Sequence, residues 1–131
     1  MTTHYRGALF DMDGVIADTN AFHKQAIKVF CEQHGLDVSD DFLEKKVYGR
    51  INREWIPELF GELSDAKIEK LADEKEALFR EIYEPHLQPV AGLDDFLKHL
   101  QEVGIKAVVA TSAPGEHADV TFYGLQIRHY F

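Results

Sequence analysis

The sequence predicts an α/β fold: a parallel-sheet core with an α-helical segment inserted after its first strand. Three observations lead there. Two short apolar runs, at residues 8–10 and 105–110, each end abruptly in polar or turn residues, as central parallel strands do. Roughly 95 residues separate the runs, whereas a plain βαβ crossover needs only about 30. Most of the intervening sequence carries helical periodicity.

The first strand is Ala8-Leu9-Phe10, stopped by Asp11 and, soon after, by Gly14. A buried helix segment is the competing reading of so short a run, and the downstream glycine argues against it. Phe22, Ala26, Ile27 and Phe30 then follow helical spacing, with Thr19 or Asn20 as N-cap and Gly35 as the stop. A shorter helix follows Ser39 and carries Phe42, Leu43 and Val47, and another follows Asn52 with Trp55, Ile56 and Leu59 on one side. The longest opens at Ser64 or Asp65, places Ile68, Leu71, Ala72, Leu78, Phe79 and Ile82 on one stripe, and must end before Pro85. The last helix of the run aligns Leu93, Phe96, Leu97, Leu100 and Val103 and stops at Gly104. The second strand, 105–110, leads through Thr111-Ser112-Ala113-Pro114-Gly115 into a helix near Glu116. The expected division is therefore a discontinuous core at 1–17 and 88–131, with a helical insert at 18–87.

Composition narrows the function classes. The 131 residues carry a net charge of −9, which disfavours a basic nucleic-acid-binding face or an anionic membrane surface as partner. An apolar share of 45% and a charged share of 28% are those of an ordinary globular domain. Lone Cys31 excludes an internal disulfide and a cysteine zinc cage. No apolar run is long enough to span a bilayer and the polar start lacks a signal-peptide core, so the chain reads as cytoplasmic. Oligomeric state is not legible.

The chemistry concentrates at the end of the first strand. Asp11-Met12-Asp13-Gly14 sets two carboxylates one residue apart where open α/β sheets bind ligands. A calcium loop starting at Asp11 would place Ile16 where glycine is required and Phe22 where a bidentate glutamate belongs, so it fails twice. Aspartates that only cap a turn remain the alternative. Thr111 and Ser112 at the end of the second strand, leading into a helix N-terminus, form the outline of an anion pocket. Paired acids on one strand end and a phosphate cradle on the next point to phosphoryl transfer.

Phe10-Asp11-Met12-Asp13-Gly14-Val15-Ile16-Ala17-Asp18-Thr19 resembles the first motif of the haloacid dehalogenase superfamily, and Ala110-Thr111-Ser112-Ala113-Pro114 resembles its second. The helical insert directly after the first motif is similar to the β-phosphoglucomutase-like subgroup with an α-helical cap. The resemblance covers essentially the whole chain and implies a Rossmann-like core. It implies Asp11 as nucleophile, forming an aspartyl phosphate, and Asp13 as acid and base. It implies Mg²⁺, held by the Asp11 carboxylate and the Asp13 carbonyl. Thr111 and Ser112, with the backbone at Met12 and Gly14, are implied to hold the phosphoryl group.

In the insert, His23, Arg50, Arg53 and Lys75 match substrate-facing positions of the subgroup. Each also has a plainer reading: an exposed helical histidine, solvated arginines, and one charge on the wet face of Glu74-Lys75-Glu76. The other histidines, at 4, 34, 86, 99, 117 and 129, lack ligand spacing and read as surface residues. His117 stands where a related hydrolase pattern often has asparagine. Ala113, Pro114 and Gly115 replace polar residues found in some mutases, which favours a phosphatase over a β-phosphoglucomutase. The resemblance implies as substrate a small phosphorylated metabolite, specifically a sugar phosphate. The family's third and fourth motifs, a lysine and an acidic metal ligand, have no counterpart here. The expectation is therefore of an N-terminal part that alone turns over poorly, or of a non-catalytic phosphate-binding module.

Overall fold

The computed structural model describes residues 4–131; the polar start at residues 1–3, which the expected core segment includes, lies outside the described residues. The chain divides into two compact units. One comprises the chain through Asn20 together with Tyr83–Phe131, and the other is Ala21–Ile82.

The first unit is built on a two-stranded sheet of β1 (Gly7–Phe10) and β2 (Lys106–Val109). The strands run parallel, with Gly7 opposite Lys106 and Phe10 opposite Val109. Side chains alternate across a strand, so Ala8 and Phe10 share a face with Ala107 and Val109. That face packs on Leu93, Leu97 and Leu100 of a helix (Leu93–Glu102) and on Ile127. The other face leaves Leu9 78% and Val108 55% exposed.

Phe96 departs from the expected core stripe, being 50% exposed, and Val103 is 53% exposed. Leu93, Leu97 and Leu100 already form the narrow stripe that meets the sheet. Phe96 lies at its margin and reaches only the edge of the Phe10 ring, 6.1 Å between centroids.

The second unit is wholly helical. In chain order the helices of the molecule are α1 (Asn20–Gln33), α2 (Asp40–Lys46), α3 (Asn52–Phe60), α4 (Asp65–Tyr83), α5 (Leu93–Glu102) and α6 (Gly115–Gly124), with short 3₁₀ turns at Glu84–His86 and Arg128–Tyr130. Gly35 ends the chain turn after α1 with φ +68°, a left-handed value that suits glycine. Ser39 caps α2, its hydroxyl accepting the Phe42 N–H at 3.2 Å. Phe30, Trp55, Ile56, Leu43 and Val47 form the core of this unit. The Phe30 and Trp55 rings meet edge to face at 5.9 Å, a geometry worth about 0.5–1.5 kcal/mol beyond area burial. Among the described residues, no helix is long and apolar enough to cross a membrane.

Candidate active site

The loop after β1 is fixed by its own backbone. The Met12 carbonyl accepts N–H groups from Val15, Ile16 and Ala17 at 3.2, 2.9 and 3.3 Å, and the Gly14 N–H donates to the Ala17 carbonyl at 2.7 Å. Such a tight reversal needs a left-handed residue, and Gly14 supplies φ +78°. Met12 is fully buried beneath the loop. Its neighbours Asp11 and Asp13 are therefore turned outward, Asp11 exposed and the Asp13 side chain 28% exposed.

Asp11 Oδ1 accepts the Met12 N–H at 2.7 Å, and no basic side chain among the described residues pairs with this carboxylate. Asp13 is held differently. Buried Thr19 donates its hydroxyl to Asp13 Oδ1 at 2.7 Å. His117 Nε2 stands 3.5 Å from the same oxygen, its ring wholly buried. Tyr83 meets that ring edge to face at 6.0 Å. Burial pushes the Tyr83 hydroxyl up to about 12; the Thr121 hydroxyl opposes the shift and the nearby Asp13 charge adds to it. Tyr83 is thus a neutral phenol throughout the working range.

The β2 end lies beside the β1 end. Beyond the Phe10–Val109 pair, the Ala110 N–H still donates to the Phe10 carbonyl at 2.8 Å. The parallel register therefore brings Asp11 and Thr111 out at the same edge of the sheet. Thr111 Oγ1 accepts the Ala113 N–H at 3.1 Å, which shapes the turn into α6. The α6 N-terminus, without a side-chain cap, opens at that same edge, where N–H groups and the helix dipole favour an anion.

An exposed carboxylate at Asp11 and a backbone carbonyl at Asp13 form an all-oxygen donor set. Hard divalent cations take such sets and complete them with water, so these residues fit Mg²⁺.

In the helical unit the expected residues separate into two groups. His23 and Lys75 meet, Lys75 Nζ lying 3.2 Å from His23 Nδ1. An ammonium can only donate, so Nδ1 accepts. The His23 ring stacks on Phe79 at 3.8 Å, nearly parallel. Lys75 is only 3% exposed, which corrects the reading of a charge on a wet face. It also donates to Glu76 Oε1 at 2.9 Å, and Asn52 donates to that oxygen at 2.8 Å. Burial works against the Glu76 charge, yet Lys75 beside it and the Asn52 hydrogen bond prevail and hold its carboxyl below the ordinary value. Arg50 and Arg53 are engaged elsewhere. Arg50 donates to the Lys46 carbonyl at 2.8 Å and pairs with Glu54 and Glu58, while Arg53 pairs with Asp65 at 3.5 Å.

The buried position of His117 corrects its reading as a surface histidine. The available signal was its place on the first turn of a helix that directly follows a strand end. Thr19, one of the two expected N-caps, directly precedes α1 and sends its hydroxyl to Asp13.

The haloacid dehalogenase-like hydrolase family matches residues 8–131, nearly the whole chain. The chain belongs to that family. A "phosphorylated carbohydrates phosphatase" from Thermotoga maritima is 29% identical over 129 residues, which are 94% of this chain and 57% of that protein. The haloacid dehalogenase-like fold is also shared with solved structures. A HAD hydrolase of family IA, variant 3, from Entamoeba histolytica superposes with a TM-score of 0.88 at 24% identity, over 96% of this chain and 57% of its own. A CbbY variant from Rhodobacter sphaeroides, in complex with xylulose 1,5-bisphosphate, superposes with a TM-score of 0.76 at 17% identity, over 94% and 58%. The haloacid dehalogenase-like chain thus spans 57% of the length of the curated relative it matches.

Proposed function

We propose that the protein carrying this chain is a Mg²⁺-dependent phosphatase of small phosphorylated metabolites, sugar phosphates in particular, working through an aspartyl phosphate on Asp11. The observation that carries the reading is the shared sheet edge, where Asp11, Asp13 and Thr111 emerge past one paired rung of β1 and β2.

In this mechanism an Asp11 carboxylate oxygen attacks phosphorus while the bond from phosphorus to the leaving oxygen breaks. Asp13 gives that leaving oxygen its proton. Asp13 then takes a proton from water, whose oxygen attacks phosphorus and releases inorganic phosphate, restoring Asp11. Mg²⁺, bound by the Asp11 carboxylate and the Asp13 carbonyl, would screen the phosphate oxygens from the attacking carboxylate. The Met12 N–H already points at Asp11 Oδ1, close to where a phosphoryl group on Asp11 would sit. Thr111 and Ser112, with the α6 N-terminus, would receive the remaining oxygens. The Gly14 N–H is committed to Ala17, so the role of Gly14 is to shape the turn. The unit Ala21–Ile82 would serve as the substrate-selecting cap, with His23 and Lys75 as its polar feature.

The substrate class draws support from the Thermotoga maritima relative and from the sugar bisphosphate in the CbbY complex. The test is release of inorganic phosphate from a panel of sugar phosphates with Mg²⁺ and with chelator. Mg²⁺-dependent release, absent in Asp11→Asn, is expected. Conversion of β-glucose 1-phosphate to glucose 6-phosphate without phosphate release would identify a mutase instead. Saturable binding of beryllofluoride with no turnover would identify a binding module.

A further inference from the structure

We propose that His117 is a positioning residue for Asp13, holding the carboxylate through Oδ1 so that protons are exchanged at Oδ2. The inference rests on the reading of Asp13 as acid and base. It starts from two groups converging on one oxygen: the Thr19 hydroxyl at 2.7 Å and His117 Nε2 at 3.5 Å both address Asp13 Oδ1. A carboxylate bonded through one oxygen to Thr19, with the imidazole closing on that same oxygen, cannot turn freely about its last bond. Its other oxygen is then presented in one direction.

The imidazole is itself fixed. It is wholly buried, and Tyr83 covers it edge-on at 6.0 Å. Thr121, one helical turn further along α6, is buried as well. A leucine would fill this position without burying polar atoms, which is otherwise costly. The 3.5 Å separation is longer than an ideal hydrogen bond, and such contacts commonly tighten when substrate is bound.

The test compares leaving-group release in the first turnover from glucose 6-phosphate and from p-nitrophenyl phosphate, using the whole protein. A sugar alkoxide needs a proton to depart; a nitrophenolate does not. His117→Leu is expected to slow release from glucose 6-phosphate by about 10²-fold, the scale of a displaced catalytic group, with a far smaller effect on p-nitrophenyl phosphate and little change in KM. His117→Gln, whose amide nitrogen reaches the place of Nε2, should recover most of the loss. His117→Asn, whose amide stops at the place of Nδ1, should not. Equal losses on both substrates, or none, would overturn the proposal. If His117→Leu does not fold, the Gln and Asn variants decide: equal rates for the two would overturn it as well. Asp13→Asn serves as the separate control. Its retaining full release from glucose 6-phosphate would mean that Asp13 is not the acid, whereas an impaired Asp13→Asn beside a normal His117→Leu would remove only the positioning role.

Discussion

The two units treat charge in opposite ways. At the β1 end, Asp11 is exposed, accepts a single backbone N–H and has no cationic partner among the described residues. In α4, Lys75 and Glu76 are buried, and they bond each other, His23 and Asn52. A carboxylate left open at a strand end is accessible to a ligand. A buried pair has been desolvated already, and its partners hold it in one arrangement. On the proposed mechanism, the same residue types serve reaction in one unit and shape in the other. Substitutions of these charged groups should separate the two roles: rate in the first unit, stability in the second.

The largest effect is expected at Asp13. Asp13→Asn should lower turnover of a sugar phosphate by about 10²–10⁴-fold, the range for a positioned acid–base group, while leaving the thermal midpoint nearly unchanged. A large drop in the midpoint would mean that this carboxylate serves structure after all. Lys75→Met should act in the opposite sense. Leaving Glu76 buried without its partner should destabilise the helical unit by about 3–5 kcal/mol in a denaturant titration. The double variant Lys75→Met with Glu76→Leu should recover much of that loss, because neither charge is then stranded.

Acidification sharpens the same contrast. Burial opposes the Glu76 charge, but Lys75 and Asn52 outweigh it and depress the carboxyl from its ordinary 4.5. A group with a depressed folded value adds stability that is present above the unfolded value and lost as pH falls through the folded one. The helical unit should therefore lose stability as pH drops below about 4.5, and Glu76→Gln should flatten that decline. The smallest effect is expected at Gly14. An added Cβ would meet Asn20 Nδ2 only at ordinary contact distance, 3.7 Å, so the cost of Gly14→Ala is that of a left-handed alanine. That cost is about 1–2 kcal/mol.

The parts of this molecule that were legible in the sequence are those set by neighbouring residues. β1 and β2 follow from short apolar runs cut off by polar residues, and the helix bounds follow from Ser39, Gly35 and Pro85. The candidate site was read from neighbouring residues too, since Asp11, Asp13 and Thr111 sit within three residues of a strand end. What escaped depends on distant partners. Lys75 in Glu74-Lys75-Glu76 looks solvated until His23 and Asn52, far away in sequence, are brought to it. His117 looks like a surface residue until α6 is placed against Asp13 and Tyr83. Phe96 fits the apolar period of α5, but the sheet it meets is too narrow to cover the whole stripe.

The most direct measurement is to locate the phosphoryl group. The protein would be incubated with acetyl phosphate and Mg²⁺, quenched in acid, digested and mapped by mass spectrometry. The account predicts an acid-stable, base-labile phosphate on the peptide that contains Asp11, absent from Asp11→Asn. A phosphate carried by Ser112, or turnover that survives Asp11→Asn, would contradict it.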